Sequence, residues 1–224
     1  MRISINANRC QPSPMRKFHP YAVEAKRQGK KIYHLNIGQP DLPTPQAYFD
    51  AVKDFDARTL EYEASPGMPV LIDAIRRYYQ TLDVYLDPRD ILITTGGSEA
   101  LLLTLLSILD PYTEVIIPEP YYPNYTTFVN MAGGFIRALP TNPWEGYRYA
   151  DRERIESLIT PNTRAILITN PGNPTGVVLT QEEMRMIADI AKKHNLFLIC
   201  DEVYREFCYD DKFGVPTMAR FRDI

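Results

Sequence analysis

The order of apolar and polar positions along the chain predicts helices that alternate with short, buried strands. Apolar residues recur every three or four positions in the longer predicted helices and follow one another in the predicted strands. The predicted helices span residues 19–28, 68–82, 98–109, 125–131, 152–159 and 181–194, and the predicted strands span residues 90–94, 114–117, 134–139, 165–169 and 196–200. This alternation over short connections indicates an α/β fold, in which helices cover both faces of a mostly parallel sheet.

Two of the predicted helices carry more specific signals. Thr180 and Glu183 have the spacing of a capping box directly before the helix at residues 181–194. The helix at residues 68–82 is expected to turn one apolar face toward the core. That face is formed by Val70, Leu71, Ala74, Ile75, Tyr78 and Tyr79.

Length, composition and charge exclude several classes of protein. The 224 residues are 45% apolar and correspond to about one and a half domains of a folded protein. The net charge of −3 is spread along the chain, so no basic patch indicates nucleic acid. The longest apolar stretch, at residues 100–109, is shorter than the ~20 residues that a membrane helix needs. The first twenty residues lack the apolar run of a secretion signal, which favours a cytoplasmic protein.

Cysteine and histidine positions argue against disulfide bonds and metal sites. Cys10, Cys200 and Cys208 are odd in number and scattered, without a CxxC pair, as expected for a reducing compartment. The three histidines lack metal-ligand spacing. We therefore predict no metal.

The N-terminal part of the chain differs from the rest. Residues 1–43 begin with a polar stretch and continue through one predicted helix and an extended segment at residues 32–35. They end in Asn-Ile-Gly-Gln-Pro-Asp at residues 36–41, which is typical of a turn. We expect residues 1–43 to form an N-terminal arm or part of a small domain, and residues 44–224 to form the α/β domain.

Ligands of parallel sheets bind beyond the carboxyl ends of the strands, so the residues that follow each predicted strand are candidate site residues. After residues 90–94 come Gly96, Gly97 and Ser98, and a helix begins at once. Free amides at a helix N-terminus favour an anion such as phosphate. An ordinary turn with a serine cap would have the same sequence.

Two further strand ends carry distinctive strings. Asn-Pro-Gly-Asn-Pro-Thr-Gly at residues 170–176 restricts the backbone strongly and can hold the Asn173 amide at a fixed place. Asp201 ends an apolar strand, where a carboxylate needs a cation or hydrogen-bond donors. A rigid loop and a helix cap are the simpler interpretations. Tyrosines after residues 114–117 either flank a flat ligand or pack.

Taken together, these strings resemble the class I/II pyridoxal-phosphate aminotransferases, the fold-type-I enzymes typified by aspartate aminotransferases. The resemblance covers essentially the whole chain and corresponds to the N-terminal part of such an enzyme. It implies that residues 44–224 are the large, cofactor-binding domain, incomplete at its C-terminal end. The implied cofactor is pyridoxal 5′-phosphate, and the implied activity is transfer of an amino group between an amino acid and a 2-oxo acid.

The resemblance also implies roles for individual residues. Asp201 would pair with the protonated pyridine nitrogen, and Asn173 and Tyr204 would donate hydrogen bonds to the ring's phenolate oxygen. Tyr122 would stack on the ring. The remaining implied residues are Gly97, Ser98 and Glu99 for the phosphate, Tyr62 for the phosphate of a neighbouring subunit's cofactor in a homodimer, and Gly38 for the substrate carboxylate.

The lysine that the family uses to form the resting Schiff base lies in a Ser-x-Ser-Lys-type string some tens of residues beyond Asp201. We expect that lysine beyond Ile224, and the chain alone to be inactive. Lys212 follows two aspartates in a turn-like stretch and is not expected to replace it. A truncated reading frame would explain the length. Alternatives are a non-catalytic module that binds the cofactor or dimerises, and a related pyridoxal-phosphate lyase.

Overall fold

The computed structural model describes residues 1–10, 14, 16–36, 38–207, 209 and 215–221. Cys208 and Lys212, which both carry predictions made above, lie outside the described residues.

Eight α-helices and four strands make up the regular structure of the described residues. The helices are α1 Ile5–Arg9, α2 His19–Arg27, α3 Gln46–Lys53, α4 Pro69–Gln80, α5 Gly97–Ile108, α6 Asn124–Met131, α7 Arg152–Ser157 and α8 Gln181–Lys193. The strands are β1 Glu114–Pro118, β2 Phe135–Leu139, β3 Thr163–Thr169 and β4 Phe197–Asp201. Short 3-10 helices lie at Arg16–Phe18, Pro88–Asp90, Pro143–Glu145 and Met218–Arg220.

The four strands form one parallel sheet in the order β2-β1-β3-β4. Because all strands run the same way, their carboxyl ends meet at one edge. Thr169 at the end of β3 is in register with Asp201 at the end of β4. The loops that the sequence marked as candidate site segments therefore leave the sheet side by side.

Helices cover both faces of the sheet, as the sequence predicted. Successive strand residues point to opposite faces, so each face has its own apolar cluster. One cluster packs α7 and α8 on the sheet and includes Ile116, Ile166, Ile168, Ile155, Met184, Ile187 and Ile190. The other packs α5 and α6 on the sheet and includes Val115, Ile117, Ala165, Leu167, Leu105, Phe128 and Val129.

The capping box before α8 is confirmed. The Thr180 hydroxyl accepts a hydrogen bond from the Glu183 amide at 3.2 Å, and the Glu183 carboxylate accepts one from the Thr180 amide at 2.7 Å. These two bonds satisfy amides that a helix N-terminus otherwise leaves without partners.

Two local predictions were wrong. The predicted strand at residues 90–94 is absent from the described sheet, because Asp90 ends a 3-10 helix and the Ile93 amide donates to the Pro66 carbonyl at 2.9 Å. In α4 the buried side chain is Ile72, whereas Val70 and Leu71 are exposed. The apolar residues of this helix form one broad side, and the described core covers that side most fully at Ile72, which periodicity alone does not identify.

Helix α1 lies against α6 and the residues that follow it. The Arg9 guanidinium donates to the Gly134 carbonyl at 2.9 Å and lies over the Phe135 ring, 4.3 Å from its centroid. The Asn130 side-chain amide donates to the Arg9 main-chain carbonyl at 3.1 Å. The boundary at residues 43/44 stays a prediction.

Candidate functional site

Asp201 lies at the carboxyl end of the sheet, and both of its carboxylate oxygens accept hydrogen bonds. The Tyr125 hydroxyl donates to Oδ2 at 2.8 Å, and the Val203 amide donates to Oδ1 at 3.1 Å. The main-chain carbonyl of Asp201 accepts a hydrogen bond from the main-chain amide of Asn170 at 3.0 Å. The first two bonds orient the carboxylate of this half-buried residue, and the third fixes its backbone at the carboxyl end of the sheet.

The sequence placed Tyr125 among the tyrosines that either flank a ligand or pack, and its contact with Asp201 was missed. Its side chain is 1% exposed, and its hydroxyl also lies 2.7 Å from the Thr169 hydroxyl. Burial raises the pKa of the Tyr125 phenol well above its usual value, and the charge of Asp201 adds to this effect. The sequence offers one signal only, a tyrosine at the start of a helix that follows a candidate loop.

The loop at residues 170–176 brings Asn173 to Tyr204, as the sequence grouping requires. The Asn173 side-chain amide donates to the Tyr204 hydroxyl at 3.2 Å. The loop is held from within, because the buried Asn170 side chain accepts a bond from the Leu179 amide at 2.9 Å. The Gly172 amide also donates to the Val177 carbonyl at 2.8 Å. Two side-chain donors are therefore presented at neighbouring places on the same edge.

Tyr122 stands next to this group. Tyr122 is half-buried, and its hydroxyl accepts a hydrogen bond from the Asn124 side-chain amide at 2.8 Å. Its ring packs edge-to-face against Tyr125 with 5.6 Å between ring centroids. An aromatic wall held in this way can cover one face of a planar ligand.

The start of α5 offers backbone amides for an anion. Gly96 precedes the helix at φ +81°, a conformation that glycine adopts readily, and brings no side chain to cap the first amides. Gly97, Ser98 and Glu99 are exposed. The Glu99 carboxylate turns back to accept a bond from the Thr95 amide, so the amides and the Ser98 hydroxyl remain for a ligand.

Tyr62 and Gly38 lie outside this group. Both are exposed, and neither is hydrogen-bonded to the residues around Asp201 within the described part of the chain. The segment that follows Tyr62 is nevertheless fixed next to α5, because Ile93 bonds to Pro66 just before the turn that opens α5. The resemblance assigns Tyr62 to the cofactor of a neighbouring subunit and Gly38 to the substrate carboxylate, and both assignments stay predictions.

The residues at this edge fit the chemistry of pyridoxal phosphate. A carboxylate suits a protonated ring nitrogen, two donors suit an oxyanion, and an aromatic face suits the ring. The exposed N-terminus of α5, for which the described residues give no contact with this edge, suits a phosphate. Family comparison matches residues 30–222 to the family described as aminotransferase class I and II. The chain belongs to this family.

Named relatives of this aminotransferase chain differ in substrate. A probable aspartate/prephenate aminotransferase of Thermus aquaticus is 34% identical over 216 residues, covering 93% of this chain and 55% of the relative. An aromatic-amino-acid aminotransferase of Thermococcus litoralis is 35% identical over 214 residues, covering 94% and 54%. A single mutant of Thermus thermophilus aspartate aminotransferase superposes with a TM-score of 0.87 at 32% identity, covering 97% and 58%. The chain spans about half the length of the curated relatives it matches.

None of the helices described is long and apolar enough to cross a membrane. Among the described residues, no three histidine, cysteine or acidic side chains are grouped so as to hold a metal ion.

Proposed function

We propose that this chain supplies the cofactor-binding part of a pyridoxal-phosphate-dependent aminotransferase, which moves an amino group between an amino acid and a 2-oxo acid. The observation that carries the proposal is the Asp201 carboxylate, fixed at both oxygens beside the Asn173–Tyr204 pair. An ionised carboxylate at this place would hold a proton on the ring nitrogen. When bound, the cofactor supplies a cationic ring that withdraws electrons from the substrate's α-carbon.

The other residues of the edge would position the cofactor. The Asn173 amide and the Tyr204 hydroxyl would donate to the ring's phenolate oxygen, and Tyr122 would cover one ring face. Gly97 and Ser98 would bind the phosphate with their amides and the serine hydroxyl. Glu99 would contribute its amide, because its carboxylate is occupied by Thr95 and would repel a phosphate.

Further roles extend beyond one copy of the chain. We propose a homodimer in which Tyr62, whose side chain is fully exposed, reaches the phosphate in the partner's site. Gly38 would contact the substrate carboxylate. The lysine needed for proton transfer at the α-carbon is assigned to sequence beyond Ile224, so this chain alone would transfer no amino group. We place the protein in the cytoplasm, and residues 44–224 in the large domain.

Binding of pyridoxamine 5′-phosphate to the 224-residue chain tests the cofactor proposal, because this form needs no lysine. Isothermal titration calorimetry is expected to show one site per chain. Asp201→Asn should weaken binding about tenfold or more, since it replaces a charge-assisted contact by a neutral one. Asp189→Asn is the matched control, because Asp189 is an exposed aspartate on α8 whose partner is Arg185.

Two outcomes would contradict the cofactor proposal: absence of pyridoxamine phosphate binding to the folded chain, and equal loss of affinity in the Asp201 and Asp189 variants. Amino transfer from L-aspartate by this chain alone would contradict only its proposed inactivity. Analytical ultracentrifugation tests the dimer. Affinity for pyridoxamine phosphate should rise with dimer formation in the wild type and less so in Tyr62→Phe.

A further inference from the structure

Tyr125 joins the two strand ends that form the candidate site. Its hydroxyl lies 2.7 Å from the Thr169 hydroxyl at the end of β3 and 2.8 Å from Asp201 Oδ2 at the end of β4. Its ring is fully buried and packs against Tyr122 and Tyr121, at centroid distances of 5.6 Å and 6.4 Å. The hydroxyl therefore has little freedom to move away from the carboxylate.

The direction of this hydrogen-bond chain follows from the donors available. An ionised carboxylate only accepts, so Tyr125 must use its single proton on Asp201. The Tyr125 oxygen is then an acceptor for the Thr169 hydroxyl. Burial raises the pKa of Tyr125, so the phenol keeps that proton at neutral pH.

We propose that Tyr125 is a positioning residue, and that the chain Thr169 O–H to Tyr125 O–H to Asp201 sets how strongly Asp201 binds a protonated ring nitrogen. A donor at Oδ2 stabilises the charged carboxylate and fixes its plane, while Thr169 strengthens that donor through the chain. This inference rests on the proposed function, because it concerns the same carboxylate. It goes beyond that proposal by naming residues that act on the cofactor through Asp201.

The test compares two ligands that differ in one atom. Pyridoxamine 5′-phosphate is titrated into the 224-residue chain beside its 1-deaza analogue, in which a carbon replaces the ring nitrogen. The ratio of the two Kd values isolates the contact between Asp201 and the ring nitrogen. A residue that only stabilises the fold would weaken both ligands alike and leave the ratio unchanged.

Tyr125→Phe is expected to lower the preference for the nitrogen-containing ligand about fivefold or more, because it removes one hydrogen bond to a charged group. Thr169→Val should lower it by a smaller factor. Tyr149→Phe is the matched control, since Tyr149 is 5% exposed and its hydroxyl has no hydrogen-bond partner among the described residues. In the Asp201→Asn background, Tyr125→Phe should change the preference no further.

The results separate this inference from the proposed function. A preference that stays at the wild-type value in Tyr125→Phe, with circular dichroism showing an intact fold, overturns the positioning role and leaves the cofactor site standing. An effect that persists in the Asp201→Asn background also overturns it. A chain that binds neither ligand refutes the proposed function and this inference with it.

Discussion

Gly67→Ala should destabilise the protein where the segment carrying Tyr62 meets the start of α5. Gly67 has φ +112°, a conformation that other residues rarely adopt. A Cβ atom built there would lie 2.3 Å from Ile93 Cγ1 and 2.5 Å from Ile93 Cβ. A different rotamer of Ile93 cannot relieve the second contact, because Cβ is fixed to the backbone.

Two contributions add up in this variant. A non-glycine residue at positive φ costs about 1–2 kcal/mol, and overlap in a packed region costs about 1–3 kcal/mol. The expected loss in free energy of unfolding is therefore about 2–5 kcal/mol. Gly133→Ala separates the two, because Gly133 has φ +83° but its nearest atom would lie 3.7 Å from the new Cβ. That control should lose only about 1–2 kcal/mol.

Urea denaturation followed by circular dichroism measures both losses. Hydrogen exchange adds a local readout, since the Ile93 amide donates to the Pro66 carbonyl and should lose protection in Gly67→Ala if the segment detaches. Equal losses in the Gly67 and Gly133 variants, together with unchanged protection at Ile93, would refute the reasoning from overlap.

Three further predictions concern the scaffold. Arg137 and Thr160 hold the pKa of Glu114 below its ordinary value of 4.5, so the stability advantage of wild type over Glu114→Gln should be present at neutral pH. Urea denaturation at a series of pH values should show that advantage disappearing as the pH falls through the lowered pKa, and a constant advantage would contradict the pairing. Ile187→Ala should lower the free energy of unfolding by about 2–5 kcal/mol, because Ile187 is fully buried. A smaller loss than that caused by Val178→Ala, at an exposed position, would contradict the assignment of Ile187 to the core. Thr180→Ala should lower the free energy of unfolding by about 1 kcal/mol, whereas Thr180→Ser, which keeps the hydroxyl, should lower it much less. Equal stability of the wild type and both variants would exclude the capping box.

The elements next to the site could be predicted because sequence specifies them locally. Apolar runs located the strands, and the capping box located the start of α8. Since parallel strands end at one edge, the residues following them could be grouped before any coordinates. The family resemblance then assigned Asn173 and Tyr204 to the same ligand oxygen, and the two side chains are hydrogen-bonded in the structure.

What the sequence did not predict depends on contacts between distant segments. Tyr125 and Asp201 are 76 positions apart, and only packing of α6 on the sheet brings them together. The stretch at residues 91–94 has a strand-like sequence, but strand formation needs a neighbour, and Ile93 bonds to Pro66 instead. Neither outcome follows from periodicity, which reports local preference and not the partner.

The double anchoring of the Asp201 carboxylate links the stereochemistry of the site to the architecture of the domain. One hydrogen bond comes from α6 and the other from the turn after β4, so the packing of those two elements determines the orientation of the carboxylate plane. A planar ligand bound through that carboxylate would take its tilt from the same packing. Substitutions on the buried side of α6, at Phe128 or Val129, would then alter how the ligand is presented to a reactant without touching the ligand.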